Sequence, residues 1–206
     1  MQLFQIKGLV FRIVTGPIGT NTYLLETDPK IVVDPGYGIG TIVREPCVVL
    51  LTHGHFDHVC GLKELNAKKV YISRKDSKHL RDPLLNLSSY FGERFVFDGT
   101  IEILTENVLN EGGLEFQIIH APGHTPGSIL LKVSDVIFSG DTIFLDSIGR
   151  TDLPSGDEAT MVRTLKRLRQ IFKSFRPDSM ILPGHGEFGT IEYILKYNDF
   201  LKEEKE

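Results

Sequence analysis

The chain has 206 residues, 41% of them hydrophobic and 24% charged, with a formal net charge of −4. That length suits one domain over 1–206 with an ample core, and the charge balance gives no electrostatic reason to expect a nucleic-acid partner. Cys47 and Cys60 make no disulfide framework, no apolar run could span a bilayer, and residues 1–8 lack a leader pattern, so a cytoplasmic protein without a membrane partner is expected.

Strand alternation runs from Leu9 to Val14, Tyr23 to Glu26 and Ile31 to Asp34, with turns at Gly16–Gly19 and Asp28–Pro29. Residues 47–51 are continuously apolar, the pattern of a strand covered on both faces, which calls for helices flanking a sheet. Helical spacing from Asp57 to Asn66 (Val59, Leu62, Leu65) precedes a strand at Val70–Ile72. Between 74 and 112 the pattern predicts only a helix near 83–91 and turns at Asp98–Gly99 and Gly112–Gly113. Strands return at 115–120, 128–133 and 135–139. Ser155–Glu158 reads as a capping box for a helix bearing Val162, Leu165, Leu168, Phe172 and Phe175, ended by Pro177. After a strand at Met180–Leu182, a last helix is predicted from Thr190 to about Lys205, with Ile191, Ile194, Leu195 and Leu201 on one face. The mixed-sign run Lys202–Glu206 reads as its solvated end. Strands in both halves with helices between and after them give an α/β sandwich.

The chemistry concentrates in Thr52-His53-Gly54-His55-Phe56-Asp57-His58, directly after the apolar strand. Imidazole nitrogens and carboxylate oxygens suit zinc and other borderline divalent metals. Glycine between His53 and His55 lets a tight loop aim both rings the same way, and Asp57 and His58 begin a helix. These four donors could complete one structural zinc, but closed structural sites usually draw on cysteine. Three more donors stand in glycine-rich turns after strands: His124 in Ala121–Gly127, Asp141 in Phe138–Thr142, and His185 in Leu182–Gly186.

With its order His-x-His-x-Asp-His, then His, Asp and His at strand ends, the chain resembles the metallo-β-lactamase superfamily, and more narrowly its glyoxalase II-like hydrolases. Ile119–Ser128 and Ser139–Asp157 are very like that subgroup's stretches, and the match runs from about residue 20 to 190. The resemblance implies a four-layer αβ/βα sandwich with two mixed β-sheets flanked by helices and the site at one edge of the sheets. It implies that His53, His55 and His124 hold one metal and Asp57, His58 and His185 a second. Asp141 would bridge them, and Asp34 would orient the loop from behind. Two ions sharing a water lower its pKa toward about 7, giving hydroxide to attack a carbonyl. Asp57 and Asp141 are then the catalytic carboxylates, and no side-chain nucleophile is needed; the chain has no Gly-x-Ser-x-Gly elbow. The expected cofactors are two divalent ions, zinc first, iron or manganese next. The expected substrate is a small molecule, a thioester of the S-acyl-glutathione type, although the C-terminal helical domain that helps glyoxalase II hold glutathione is not expected here.

Other readings compete. Persulfide dioxygenases share these loops but use one iron, for which His53, His124 and Asp141 would be the triad. A β-lactamase proper would be exported and in its main class carries Cys where this chain has Asp141. A tRNA-processing nuclease would be longer, with a basic surface. His120 reads as a structural, half-buried histidine, His79 as a surface residue, and Cys60 as a small hydrophobe. Gly36–Gly40 fails the dinucleotide spacing because Thr41 follows. Arg150 is either a substrate contact or an ion-pair partner of Asp152.

Overall fold

Alternating and continuously apolar runs become strands of two sheets in the computed structural model, which describes residues 2–202. One sheet holds Leu3–Lys7 (β1), Val10–Thr15 (β2), Thr20–Leu25 (β3), Lys30–Val33 (β4), Cys47–Leu50 (β5), Ala67–Ser73 (β6) and Glu102–Leu104 (β7), in that order. The other holds Val108–Glu111 (β8), Leu114–His120 (β9), Ile129–Val133 (β10), Val136–Gly140 (β11), Met180–Pro183 (β12) and Gly189–Thr190 (β13), in sequential order from β8 to β13. Both sheets are mixed: β4, β5, β6 and β7 run parallel, as do β11 and β12, and the remaining pairs are antiparallel.

The period of two sorts side chains into layers. Ile31, Val33, Val48 and Leu50 meet Phe116, Ile129, Leu131 and Phe138 of the second sheet in the central core. Their neighbours Val32, Cys47 and Val49 face outward, under Ile39, Val59, Leu62 and Leu80. Leu130, Ile137 and Ile181 face the other way, under the helices Glu158–Lys173 (α2) and Ile191–Tyr197 (α3). The result is the expected α/β sandwich of four layers, with helices outside two packed sheets.

Several predicted elements differ in detail. The stretch 57–66 becomes a short α-helix, Phe56–Val59 (α1), followed by a tighter 3-10 turn at Cys60–Glu64. Near 83–91 only a 3-10 turn at Ser88–Phe91 forms, because Asp82 and Asn86 side chains bond nearby backbone amides and stabilise turns. Asp157, not Ser155, caps α2, with its carboxylate accepting from the Thr160 amide; Ser155 stands at φ 73° in the left-handed region. Val162 is exposed and Met161 takes its place in the apolar face. The last helix stops at Tyr197, where Asn198 turns extended and its side chain bonds the carbonyls of Phe144 and Ser147. Residues 203–206 lie outside the described residues. Strands β1, β7, β8 and the two-residue β13 were not predicted.

Topology brings the donors together. β9 and β11 are both antiparallel to β10, so they run the same way as β12, and His124, Asp141 and His185 follow the same ends of that sheet. Asp34 and His53 likewise follow the parallel β4 and β5. Ligands in open α/β sheets gather at such carboxyl ends. The two edges are latched: the Asn21 amide bonds the Gly184 carbonyl at 2.7 Å, the Ile129 amide bonds the Thr52 carbonyl at 2.9 Å, and the buried Tyr23 hydroxyl donates to the Pro183 carbonyl at 2.6 Å. Tyr23→Phe is expected to cost about 1 kcal/mol in urea unfolding; no loss would mean that this latch carries no stability.

Candidate metal centre

Seven donors converge where the sheet edges meet. His53, His55 and His124 bring their ligand atoms within 4.8 Å of one another, and so do Asp57, His58 and His185. The first three rings pack edge to face, with centroids 4.9 Å (53–55), 4.5 Å (55–124) and 5.0 Å (53–124) apart. In the second group His185 Nε2 lies 3.0 Å from Asp57 Oδ2, and His58 Nε2 lies 3.2 Å from the same oxygen. Asp141 stands between the groups, Oδ1 3.3 Å from His58 Nε2 and Oδ2 3.7 Å from His124 Nε2.

Several of the donors are steadied from behind. Asp34 Oδ1 accepts from the Thr52 amide at 2.8 Å, and Oδ2 accepts from Thr52 Oγ1 at 2.6 Å and faces His58 Nδ1 at 3.1 Å. Asp34 also lies within 4.8 Å of His53 and His58 as a third ligand-type group, but its oxygens are occupied by these bonds to the Thr52 and His58 side of the loop. His124 Nδ1 donates to the backbone carbonyl of Arg150 at 2.7 Å, leaving Nε2 free to face inward. Thr20 Oγ1 donates to Asp57 Oδ2 at 2.8 Å. Gly54 is needed for close packing: a Cβ there would meet the His79 Cβ at 2.4 Å. At Gly184 a Cβ would meet Asp141 Oδ1 at 2.2 Å, so only glycine lets the His185 turn close over the centre.

The residues fit metal ions. His53 Nε2, His55 Nε2, His124 Nε2 and Asp141 Oδ1 are buried without a hydrogen-bond partner, an arrangement that costs about 1–3 kcal/mol per group unless a ligand satisfies it. Nitrogen and carboxylate oxygen are the donor set of zinc, iron and manganese sites.

Electrostatics separate the groups in the metal-free chain. Burial, helped by neighbouring rings, holds the His53 and His55 pKa values well below the ordinary range, so both are neutral at pH 7. Burial acts the same way on His58, but the Asp57 and Asp141 carboxylates outweigh it and raise its pKa well above the ordinary value. His185 is raised too, because a hydrogen bond to Asp57 and the charge of Asp141 overcome burial. Burial pushes Asp57 and Asp141 up, yet the His58 charge wins: Asp57 lies well below its usual value and Asp141 falls to about 2.

Linkage gives each effect its sign. Depressed His53 and His55 values remove stability as pH falls below the unfolded value of about 6.5. Raised His58 and His185 values give stability that is complete below about 6.5 and lost as pH climbs through the folded values. The carboxylates add a further loss as pH falls from about 3.8 toward their depressed values. Metal-free protein is therefore expected to be most stable near about pH 6.5, with urea midpoints falling on either side. A midpoint that climbs steadily from pH 5 to 8 would contradict these charge assignments.

Other predicted positions move. His79 is buried, not at the surface: the turn at His79–Arg81 folds it under Gly54, and its Nε2 lies 3.0 Å from Ser155 Oγ. His120 is exposed rather than half-buried, because it is the last residue of β9, where the strand runs out of the core, and it joins no metal-type group among the described residues. The Arg150 guanidinium makes a bidentate pair with Asp152 at 2.9 Å, while its backbone carbonyl supports His124. Both cysteines are free, and burial pushes Cys60 up to about 12 and Cys47 to about 11, so they stay protonated thiols. The Gly38 and Gly40 amides bond Glu64, which occupies that glycine loop. No helix among the described residues is long and apolar enough to cross a membrane.

Sequence reasoning missed Thr20, Asn21 and Asp76. Asp76, wholly buried, sits in a run of charged residues that reads as solvated surface.

Comparison with known proteins agrees with this geometry. The family description "Metallo-beta-lactamase superfamily" matches residues 15–185. Hydroxyacylglutathione hydrolase GloC of Haemophilus influenzae is 36% identical over 163 residues, covering 75% of each chain. The crystal structure of BLEG-1 B3 metallo-beta-lactamase superposes with a TM-score of 0.82 at 31% identity, covering 93% of this chain and 99% of that one. TTHA1623 in a di-iron-bound form gives a TM-score of 0.77 at 30% identity, covering 93% of this chain and 100% of that one. With its buried cluster of histidines and carboxylates, this chain is a metal-dependent enzyme and belongs to the metallo-beta-lactamase superfamily.

Proposed function

We propose that the chain is a dinuclear metal-dependent hydrolase of carbonyl compounds, with thioesters of the S-acyl-glutathione type as its substrates. The observation that carries this reading is the row of buried, unpartnered donors His53, His55, His124 and Asp141 beside a second complete group, Asp57, His58 and His185. In this reading the three histidines would hold one ion and the second group another, with Asp141 standing between the two groups. Two divalent ions, zinc first and iron or manganese next, would supply Lewis acidity and a water acidified toward a pKa of about 7.

The chain's own groups do the rest. Asp57 and Asp141 carry two negative charges between them, so two dications held here would keep a net positive charge that favours a developing oxyanion. Asp57, ionised and steadied by Thr20, would orient the attacking water by accepting a hydrogen bond from it. A cleft of about 580 Å³ lined by Ile18, Phe56, Phe91 and Phe95 opens beside Asp57 and can take an apolar acyl group out of water. Arg150 is the candidate contact for the carrier's carboxylates, since an exposed pair such as Arg150–Asp152 opens at little cost. Likeness to GloC supports the thioester. Likeness to BLEG-1 favours a second reading, hydrolysis of a β-lactam amide by the same centre.

The test is thiol release from S-lactoylglutathione and other acyl thioesters, run beside opening of a chromogenic β-lactam. Thioester turnover that a chelator abolishes and zinc restores is the expected result. Lactam opening alone would favour the second reading, and a metal-loaded chain that hydrolyses neither would overturn both.

A further inference from the structure

A second buried carboxylate stands behind the centre. Asp76 Oδ2 accepts from the Gly54 amide at 3.1 Å and from Thr125 Oγ1 at 2.6 Å, and Oδ1 accepts from the Gly127 amide at 2.7 Å. Gly54 lies between His53 and His55, and Thr125 follows His124. One side chain therefore bonds both loops that carry the first histidine group. Those loops leave different sheets, one after β5 and one after β9.

The contact leaves no room for drift. A Cβ at Gly127 would meet Asp76 Oδ1 at 2.5 Å, and Thr125 Oγ1 is also 2.7 Å from Ser128 Oγ, which in turn accepts from the Thr125 amide. Asp76 is wholly buried. Burying a carboxylate is costly, and a latch needed only for folding is often built as well or better from apolar side chains. A site that must hold its donors within about 0.5 Å does need such directed bonds.

We propose that Asp76 is a positioning residue of the metal centre: it fixes the His53–His55 loop against the His124 loop, and so sets the affinity and coordination geometry of the ion those three histidines hold. This rests on the metal reading given above. Asp76 touches none of the seven donors, and its effect passes through backbone amides and Thr125.

Cobalt(II) titration of the metal-free chain, followed by visible absorption, tests it. Wild type is expected to take up two equivalents. Asp76→Asn keeps the shape but has one acceptor oxygen for three donors; it is expected to weaken one equivalent by about 10–100-fold, shift that ion's ligand-field bands, and leave the other within threefold. Thr125→Val removes only one of the three bonds and is expected to show the same selective change, about threefold to tenfold. With cobalt saturating, kcat should fall in both variants while KM stays put. If both bind two equivalents with wild-type affinities and spectra, Asp76 merely holds the fold, even if the metal-free melting temperature drops. Should Asp76→Asn fail to fold, Thr125→Val decides alone. Fewer than two equivalents in wild type would overturn the dinuclear reading instead, and the variants would still be scored on the ion that binds.

Discussion

His55→Ala is expected to lower kcat/KM for thioester hydrolysis by at least about 1,000-fold, since Lewis-acid stabilisation is worth several kcal/mol and about 1.4 kcal/mol is tenfold in rate. The same change is expected to leave the metal-free fold nearly as stable as before. His55 is 2% exposed, and its Nε2 is buried without a partner. Truncation opens a cavity but also removes that unsatisfied nitrogen, and the two effects oppose each other. Circular dichroism and urea unfolding of the metal-free variant would show the fold retained, while the thiol-release assay would show activity lost. Turnover within tenfold of wild type would remove His55 from the centre and with it the dinuclear mechanism.

The second large effect falls on stability. Asp34→Ala strips three buried donors of their acceptor: the Thr52 amide, Thr52 Oγ1 and His58 Nδ1. It also places alanine at φ 52°, where a Cβ is strained. Each stranded donor costs about 1–3 kcal/mol and the strain about 1 kcal/mol more, so a loss of about 4 kcal/mol in metal-free protein is expected after partial relaxation. Asp34→Asn tolerates the left-handed conformation and should lose less stability, yet it should still weaken metal binding by about 10–100-fold because His58 loses its orienting partner. An Asp34→Ala variant as stable as wild type would mean that the Thr52 and His58 bonds contribute nothing.

The donors were legible in the sequence because each follows a strand end and because seven ligand-type residues recur in glycine-rich turns. The strands β4, β5, β9, β10 and β11 were legible too, since burial on one or both faces leaves alternating or continuously apolar runs in the chain. The supports were not. Asp76 and His79 lie in Arg74-Lys-Asp-Ser-Lys-His, a string whose local composition reads as solvent-exposed, and only the turn that folds it beneath Gly54 makes both residues internal. Ser155 and Asp157 are both plausible caps by type; the choice was made by tertiary contact, with the Asp157 amide bonding the Gly123 carbonyl and Ser155 Oγ meeting His79. Arg150 shows the same limit: what the centre uses is its backbone carbonyl, and side-chain chemistry could not reveal that.

Elemental analysis of protein purified without added metal counts the ions directly. Close to two ions of zinc, iron or manganese per chain are expected, reduced toward one by His185→Ala. A single iron per chain, unchanged by that substitution, would contradict the dinuclear hydrolase and point to oxygen chemistry at His53, His124 and Asp141.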